Sequence, residues 1–325
     1  MAKILIYGWY DHNNIGDELM ALALKKILDG HELKFVSHIT ATDYQQCDKI
    51  IIGGGSFLSL PMNADKAVLS LLEKYSNSKP IFYVGVGAET EVHSDHVKLL
   101  SCSKGNFIRS NPSDYFSNLN CKYTKIPDLS YVFATTPESG LIRRNKSLLV
   151  LPNTEVVSNR ESAQWKRAAW EYFKSECSQA LDELIYDGWK VTMAPFCNDP
   201  NHKDEWAAAE LALQCTYRSN IQLIQSSWMK DFSFQEVRKL FDQHTVVLTQ
   251  RFHGAPIAQI TSTPCVVIHH HDKLANISND VANLVPYYGI RKDLITAAVK
   301  SAKIPLKCKD LESLEYIRKA VDYLP

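Results

Sequence analysis

Arg251 and His253 are the residues whose types and spacing point most directly to chemistry. They lie in Gln250-Arg251-Phe252-His253-Gly254, after an apolar run with a strand's length and β-branched content, 245–249, and before a segment that reads as a short helix, 255–261. Arg grips a carboxylate or phosphate through parallel hydrogen bonds, and His gives or takes a proton near neutral pH. Alternation along an extended segment would put Arg251 and His253 on one side and Phe252 on the other. In open α/β sheets this strand-to-helix edge is where ligands bind, and the helix start at Gly254 would add N–H donors for an anion. An equally open reading makes the two residues a helix-capping pair with purely structural hydrogen bonds.

The frame for these residues is two rounds of alternating strand and helix. The first has strands over 3–7, 33–36, 49–52, 80–84 and 106–110, helices over 15–29, 64–75 and 93–102, and a short last strand over 126–131. Residues 135–146 read as a linker. The second round has strands over 147–151, 189–194, 221–224, 245–249 and 265–269, with a long helix over 161–187 and shorter helices over 205–215, 233–242, 255–261, 273–284 and 310–323. A loop over 195–205 carries Asp199, His202 and Asp204. Such alternation means parallel sheets with right-handed crossovers, so the expected class is α/β. The expected domains are 1–140 and 141–325, with the last helix packing back on the first.

Composition excludes several classes. The 325 residues carry 36 basic and 36 acidic side chains, so no overall field favours nucleic acid or an anionic membrane. No apolar run approaches the ~18 residues of a spanning helix, and the N-terminus reads as a strand rather than a signal peptide. The eight cysteines show no CxxC and no metal-type spacing, which suits reduced, buried thiols in a cytoplasmic protein. His269-His270-His271 is not expected to bind metal, because consecutive strand side chains point opposite ways. No metal site is expected elsewhere.

Two further stretches follow strand ends. Asn14-Ile15-Gly16-Asp17-Glu18 opens the first helix: Gly16 permits a close approach, and the two carboxylates suit the positive end of a helix or a ligand. Gly53-Gly54-Gly55 either turns backbone N–H groups toward a ligand or lets another segment pass close. The 14–18 stretch is not a dinucleotide fingerprint, since GxGxxG is absent there, and Gly85-Val86-Gly87 is too sparse for one.

Together these stretches resemble the polysaccharide pyruvyl transferase family. The resemblance rests on Asn14-Ile15-Gly16-Asp17-Glu18, on Gly53-Gly54-Gly55, and on Arg109 followed by Pro127-Asp128-Leu129. Its most specific part is Arg251-Phe252-His253-Gly254, then Ser262-Thr263-Pro264 and a strand leading to Lys273. The order holds along nearly the whole chain. It implies two Rossmann-like domains facing a cleft, similar to GT-B glycosyltransferases. It further implies phosphoenolpyruvate as donor substrate, no separate cofactor, and a sugar acceptor, lipid-linked or polymeric. The product would be a cyclic pyruvate ketal, made by an enzyme that contacts a membrane at most peripherally.

The residues can be given roles on that basis. Arg251 would hold the donor's carboxylate or phosphate, His253 would protonate its methylene carbon, and Asp17 or Glu18 would orient or deprotonate an acceptor hydroxyl. Asn14, Gly16, Gly53, Gly54, Gly55, Arg109, Gly254 and Lys273 would complete substrate binding. The chain departs from the family pattern at Ser110, where many members have Asp, and at Asn153, where some have a donor-binding Arg; Arg143, Arg144 and Arg160 are alternative cations. Two rivals share the fold: a glycosyltransferase using a nucleotide sugar, and a non-catalytic sugar-binding protein.

Overall fold

The computed structural model describes the chain except for residues 66–67, 69, 71, 73–78, 89–90, 110–120, 136–144, 155–161, 200–202, 231–232, 270–273, 275–276, 278–280, 307–310 and 324–325. Contacts divide it into two units. Unit one is Met1–His12, Asp17–Val132 and Lys309–Pro325; unit two is Asn13–Gly16 and Phe133–Cys308. Each holds a six-stranded sheet whose strand pairs are all parallel, so the chain is α/β with two Rossmann-like domains.

In unit one the strands are β1 (Lys3–Tyr7), β2 (Glu32–Val36), β3 (Lys49–Gly55), β4 (Ile81–Val86), β5 (Gly105–Ile108) and β6 (Thr124–Lys125), in the order β2-β1-β3-β4-β5-β6. Strand order reverses between β1 and β3, the switch point at whose C-terminal edge such sheets bind ligands. The inner strands read as near-continuous apolar runs because both sheet faces are covered: Ile50, Ile51 and Ile52 are all inaccessible to solvent. Helices α1 (Ile15–Ile27), α2 (Ala41–Gln46) and α3 (Ser94–Cys102) belong to this half of the chain. Helix α2 was not apparent in the sequence; a capping box between Thr40 and Asp43 starts it.

The strand expected over 126–131 does not form. Pro127 has no N–H to give to a ladder. Asp128 then turns the chain, its carboxylate accepting from Ser130 N (3.0 Å) and its carbonyl from Tyr131 N (3.1 Å), and Leu129–Phe133 is a 3-10 turn.

In unit two the strands are β7 (Ser147–Leu151), β8 (Lys190–Met193), β9 (Ile221–Leu223), β10 (Val246–Thr249), β11 (Cys265–His269) and β12 (Asn283–Pro286), ordered β12-β11-β10-β7-β8-β9. The switch point lies between β7 and β10. Helices α4 (Ala163–Tyr186), α5 (Asp204–Gln214), α6 (Phe234–Asp242), α7 (Gly254–Ile260) and α8 (Lys292–Lys300) complete the unit. Helix α4 buries Trp170, Phe173, Cys177, Leu181 and Leu184, spaced three or four apart, in a core shared with Leu148, Met193 and Val266. Truncating Leu181 to Ala there would cost about 2–5 kcal/mol. Asn283–Pro286 is a strand, not the end of a helix, because it pairs in register with β11; a four-residue edge strand carries too little periodicity to be seen in sequence.

The last helix, α9 (Glu312–Tyr323), belongs to unit one, where Lys49 Nζ donates to Val321 O (2.6 Å) and His31 contacts Asp322 (2.7 Å). Among the described residues no helix is long and apolar enough to cross a membrane.

Candidate functional site

Parallel pairing brings the segments after β7, β8 and β10 to one edge of the unit-two sheet. At the switch point the Gln250 amide donates to Leu151 O (3.1 Å), and the Gln250 side-chain oxygen accepts from Asn153 N (2.9 Å). Both residues are buried, so Asn153 is tied to the sheet edge where an Arg was expected in some relatives. Arg143, Arg144, Arg160 and Ser110 lie outside the described residues.

Residues 250–253 do not continue the strand, so the alternation argument for Arg251 and His253 fails. The Thr249 hydroxyl ends β10 by accepting from Arg251 N and donating to Arg251 O, both at 2.9 Å. The chain then turns, with Gly254 N donating to Arg251 O and Ala255 N to Phe252 O, each at 3.1 Å. The N–H groups expected to face an anion at Gly254 therefore close the turn instead. His253 already has helical dihedrals and caps the helix with its carbonyl; its side chain makes no capping hydrogen bond.

Arg251 is half-buried and its Nε–Nη2 edge is committed to Asp204. Nε donates to Oδ2 at 2.9 Å and Nη2 contacts Oδ1 in a two-point ion pair. Asp204, at the start of α5, is 1% exposed and accepts also from Phe196 N (3.1 Å) and Cys197 N (2.9 Å). Burial raises its carboxyl above the ordinary value, opposed by the guanidinium and the two amides. Burial pushes the neighbouring Cys197 thiol up to about 12, so it is protonated at neutral pH.

The backbone held by Asp204 in turn holds the opening motif. Asn14 and Cys197 form an antiparallel bridge, Ile15 N donates to Phe196 O (2.9 Å) and Asn198 N to Asn13 O (2.9 Å). Asn14 Oδ1 accepts from Gly16 N (3.1 Å) and caps α1. Gly16 abuts the His253 imidazole: any Cβ at residue 16 would collide with the ring. Asn14, Gly16, Arg251, His253 and Gly254 are thus assembled within unit two.

The other expected site residues, apart from Lys273, lie in unit one. Glu18 accepts from Asp11 N (2.7 Å), which pins a loop where Asp11 and Asn13 have positive φ; burial raises its carboxyl. Asp17 lies against Gly55. Gly54 and Gly55 have positive φ, and side chains at these two positions would press on Met20, Tyr10 and Asp17, so close packing accounts for them. Gly53 O accepts the Tyr10 hydroxyl. Arg109 is buried in an ion pair with Asp128 (3.1 Å) and donates to Ser56 Oγ (2.6 Å). Lys273, His270 and His271 lie outside the described residues.

Sequence reasoning assigned no part to Asp204, Gln250 or Cys197. The only signal was an acidic residue in a loop after a strand, which is too common to single out.

Solved structures with this fold include three UDP-GlcNAc 2-epimerases. The enzyme from Methanocaldococcus jannaschii is 14% identical, covering all of both chains, with a TM-score of 0.57. A putative one from Listeria monocytogenes is 11% identical over 99% of this chain and 96% of that one, with a TM-score of 0.60. The enzyme from Neisseria meningitidis is 11% identical, covering all of both chains, with a TM-score of 0.58. At such identity the likeness establishes the fold alone, a GT-B-like pair of Rossmann domains. No curated protein matches in sequence. The family model for polysaccharide pyruvyl transferase matches residues 14–272, a span that starts at Asn14 and contains Arg109, Asp204, Arg251 and His253. The chain therefore belongs to the polysaccharide pyruvyl transferase family.

Proposed function

We propose that this protein transfers pyruvate from phosphoenolpyruvate to a sugar of a polysaccharide or glycolipid precursor, forming a cyclic ketal and releasing phosphate. The observation that carries this reading is a cation and an imidazole, Arg251 and His253, set directly beyond β10 at the switch point of unit two, within the span matched by the family.

In this mechanism His253 gives a proton to the methylene carbon of the donor, leaving cationic character on the carbon that bears carboxylate and phosphate. One sugar hydroxyl attacks that carbon, phosphate leaves, and a second hydroxyl closes the ring. One of the two hydroxyl protons restores His253 and the other leaves with phosphate. A dianionic donor favours the imidazolium needed at the start. Arg251, oriented by Asp204, meets the donor's anionic groups, and Asp17 takes the proton of one acceptor hydroxyl and passes it to the departing phosphate. Asn14 and Gly16 shape the space around the imidazole. Phosphoenolpyruvate is the donor substrate, and no separate cofactor enters this scheme. A cytoplasmic location fits the seven described cysteines, all free thiols.

A charge-assisted hydrogen bond contributes about 1.5–3 kcal/mol, so Arg251→Ala should weaken donor binding by roughly one to two decades. Calorimetric titration with phosphoenolpyruvate, UDP, GDP and CMP tests this without knowledge of the acceptor. Phosphoenolpyruvate binding that Arg251→Ala weakens by that factor is the expected result. Binding of a nucleotide and not of phosphoenolpyruvate would replace this reading with a glycosyltransferase.

A further inference from the structure

The contacts around His253 form a closed circuit. Going one way, the chain runs from His253 back to Arg251, whose guanidinium is gripped by Asp204. Going the other, the same carboxylate holds the Phe196 and Cys197 amides. That backbone pairs with Asn14 and Ile15, and the next residue, Gly16, rests on the imidazole. Both arms start at one buried carboxylate and end at one ring. The Phe196 ring, packed at 6.0 Å from both Phe241 and Trp228, keeps the 196–198 segment from shifting independently.

We propose that Asp204 is a positioning residue for His253: it fixes Arg251 on one side and the 13–16 segment on the other, and so sets the imidazole between them. The effect on catalysis rests on the reading of His253 as the proton donor; the effect on the ring's position does not. A carboxylate accepting four hydrogen bonds from two segments cannot be replaced by an amide without losing at least one of them, since an amide has a single acceptor oxygen. Displacement of a reacting group by about 1 Å costs on the order of 100-fold in rate.

The test is Asp204→Asn, compared with Glu205→Gln as a neighbouring control. The ring resonance of His253, identified by its loss in His253→Ala, is recorded without substrate, and kcat and KM for phosphoenolpyruvate are measured separately. The expected result is a folded Asp204→Asn whose His253 resonance moves and whose kcat falls by roughly 10- to 100-fold, with KM changed less. Glu205→Gln should leave both at wild-type values. A wild-type His253 resonance in folded Asp204→Asn overturns the proposal, whatever the turnover. If wild-type protein does not use phosphoenolpyruvate yet the resonance moves, the functional reading fails and the positioning role stands. If Asp204→Asn does not fold, Arg251→Lys, which breaks the two-point grip but keeps the charge, is read on the same resonance with the same two outcomes.

Discussion

Each unit reverses strand order once, between β1 and β3 in one and between β7 and β10 in the other, and the residues around the two switch points are placed differently. In unit one the protein fills the space itself. Tyr10 is buried with its hydroxyl on Gly53 O, and Arg109 is enclosed with Asp128. His96, in the same unit, is fully buried, and burial lowers it from 6.5 to about 4, so it is neutral at pH 7. Its partner is the Tyr83 hydroxyl at 3.1 Å. In unit two the same residue types have different surroundings. Arg251 is only partly enclosed, with its carboxylate partner buried, and His253 lies against Gly16 and meets the Phe252 ring edge to face at 5.2 Å. The difference lies in whether both members of the ion pair are buried or only the carboxylate.

Four measurements test that contrast. The largest effect is expected for His253→Ala, which should lower turnover by 10²–10⁴-fold in a phosphate-release assay, the usual loss for a general acid; near wild-type turnover would end the assignment. Arg109→Ala leaves Asp128 buried without its cation and should cost about 3–5 kcal/mol in urea unfolding. A cost under 1 kcal/mol would mean that unit one's pair is not the structural one. His96 predicts a pH effect. The unfolded chain takes up this proton near pH 6.5 and the folded protein only near 4, so protonation favours unfolding across that window. Stability should fall by about 3 kcal/mol as pH drops through it, and His96→Asn should flatten that part of the melting-temperature profile. Smallest is Tyr10→Phe, which strips Gly53 O of its donor at an expected cost of about 1–2 kcal/mol; donor binding should be unchanged in the same calorimetric titration.

Much of the frame was legible because its signals are local. Ser147–Leu151 is an apolar run of strand length, and its observed bounds are those read from sequence. Arg251 and His253 were found because a strand's end and a helix's start bracket them. The same local logic misled at 250–253, where extended alternation was assumed and a Thr249-capped turn formed instead. It misled again at 126–131, where apolar content outweighed Pro127 and the turn chemistry of Asp128. The Gly53-Gly54-Gly55 run admitted two readings, and packing against Tyr10, Met20 and Asp17 supports the close approach of a neighbouring segment.

The α/β alternation, the two sheets and the placement of Arg251 and His253 at a strand's end follow from local sequence, because periodicity and strand-end chemistry act over a few residues. Only the tertiary structure decided what those side chains touch. Asp204 and Arg251 are 47 residues apart in the chain, and Asn14 and Cys197 lie in different rounds of the alternation. Asp204 and Arg251 meet only once the parallel strands β8 and β10 bring their C-terminal ends to one edge. A carboxylate's partner is then set by burial, which makes an unpaired charge too costly to leave there.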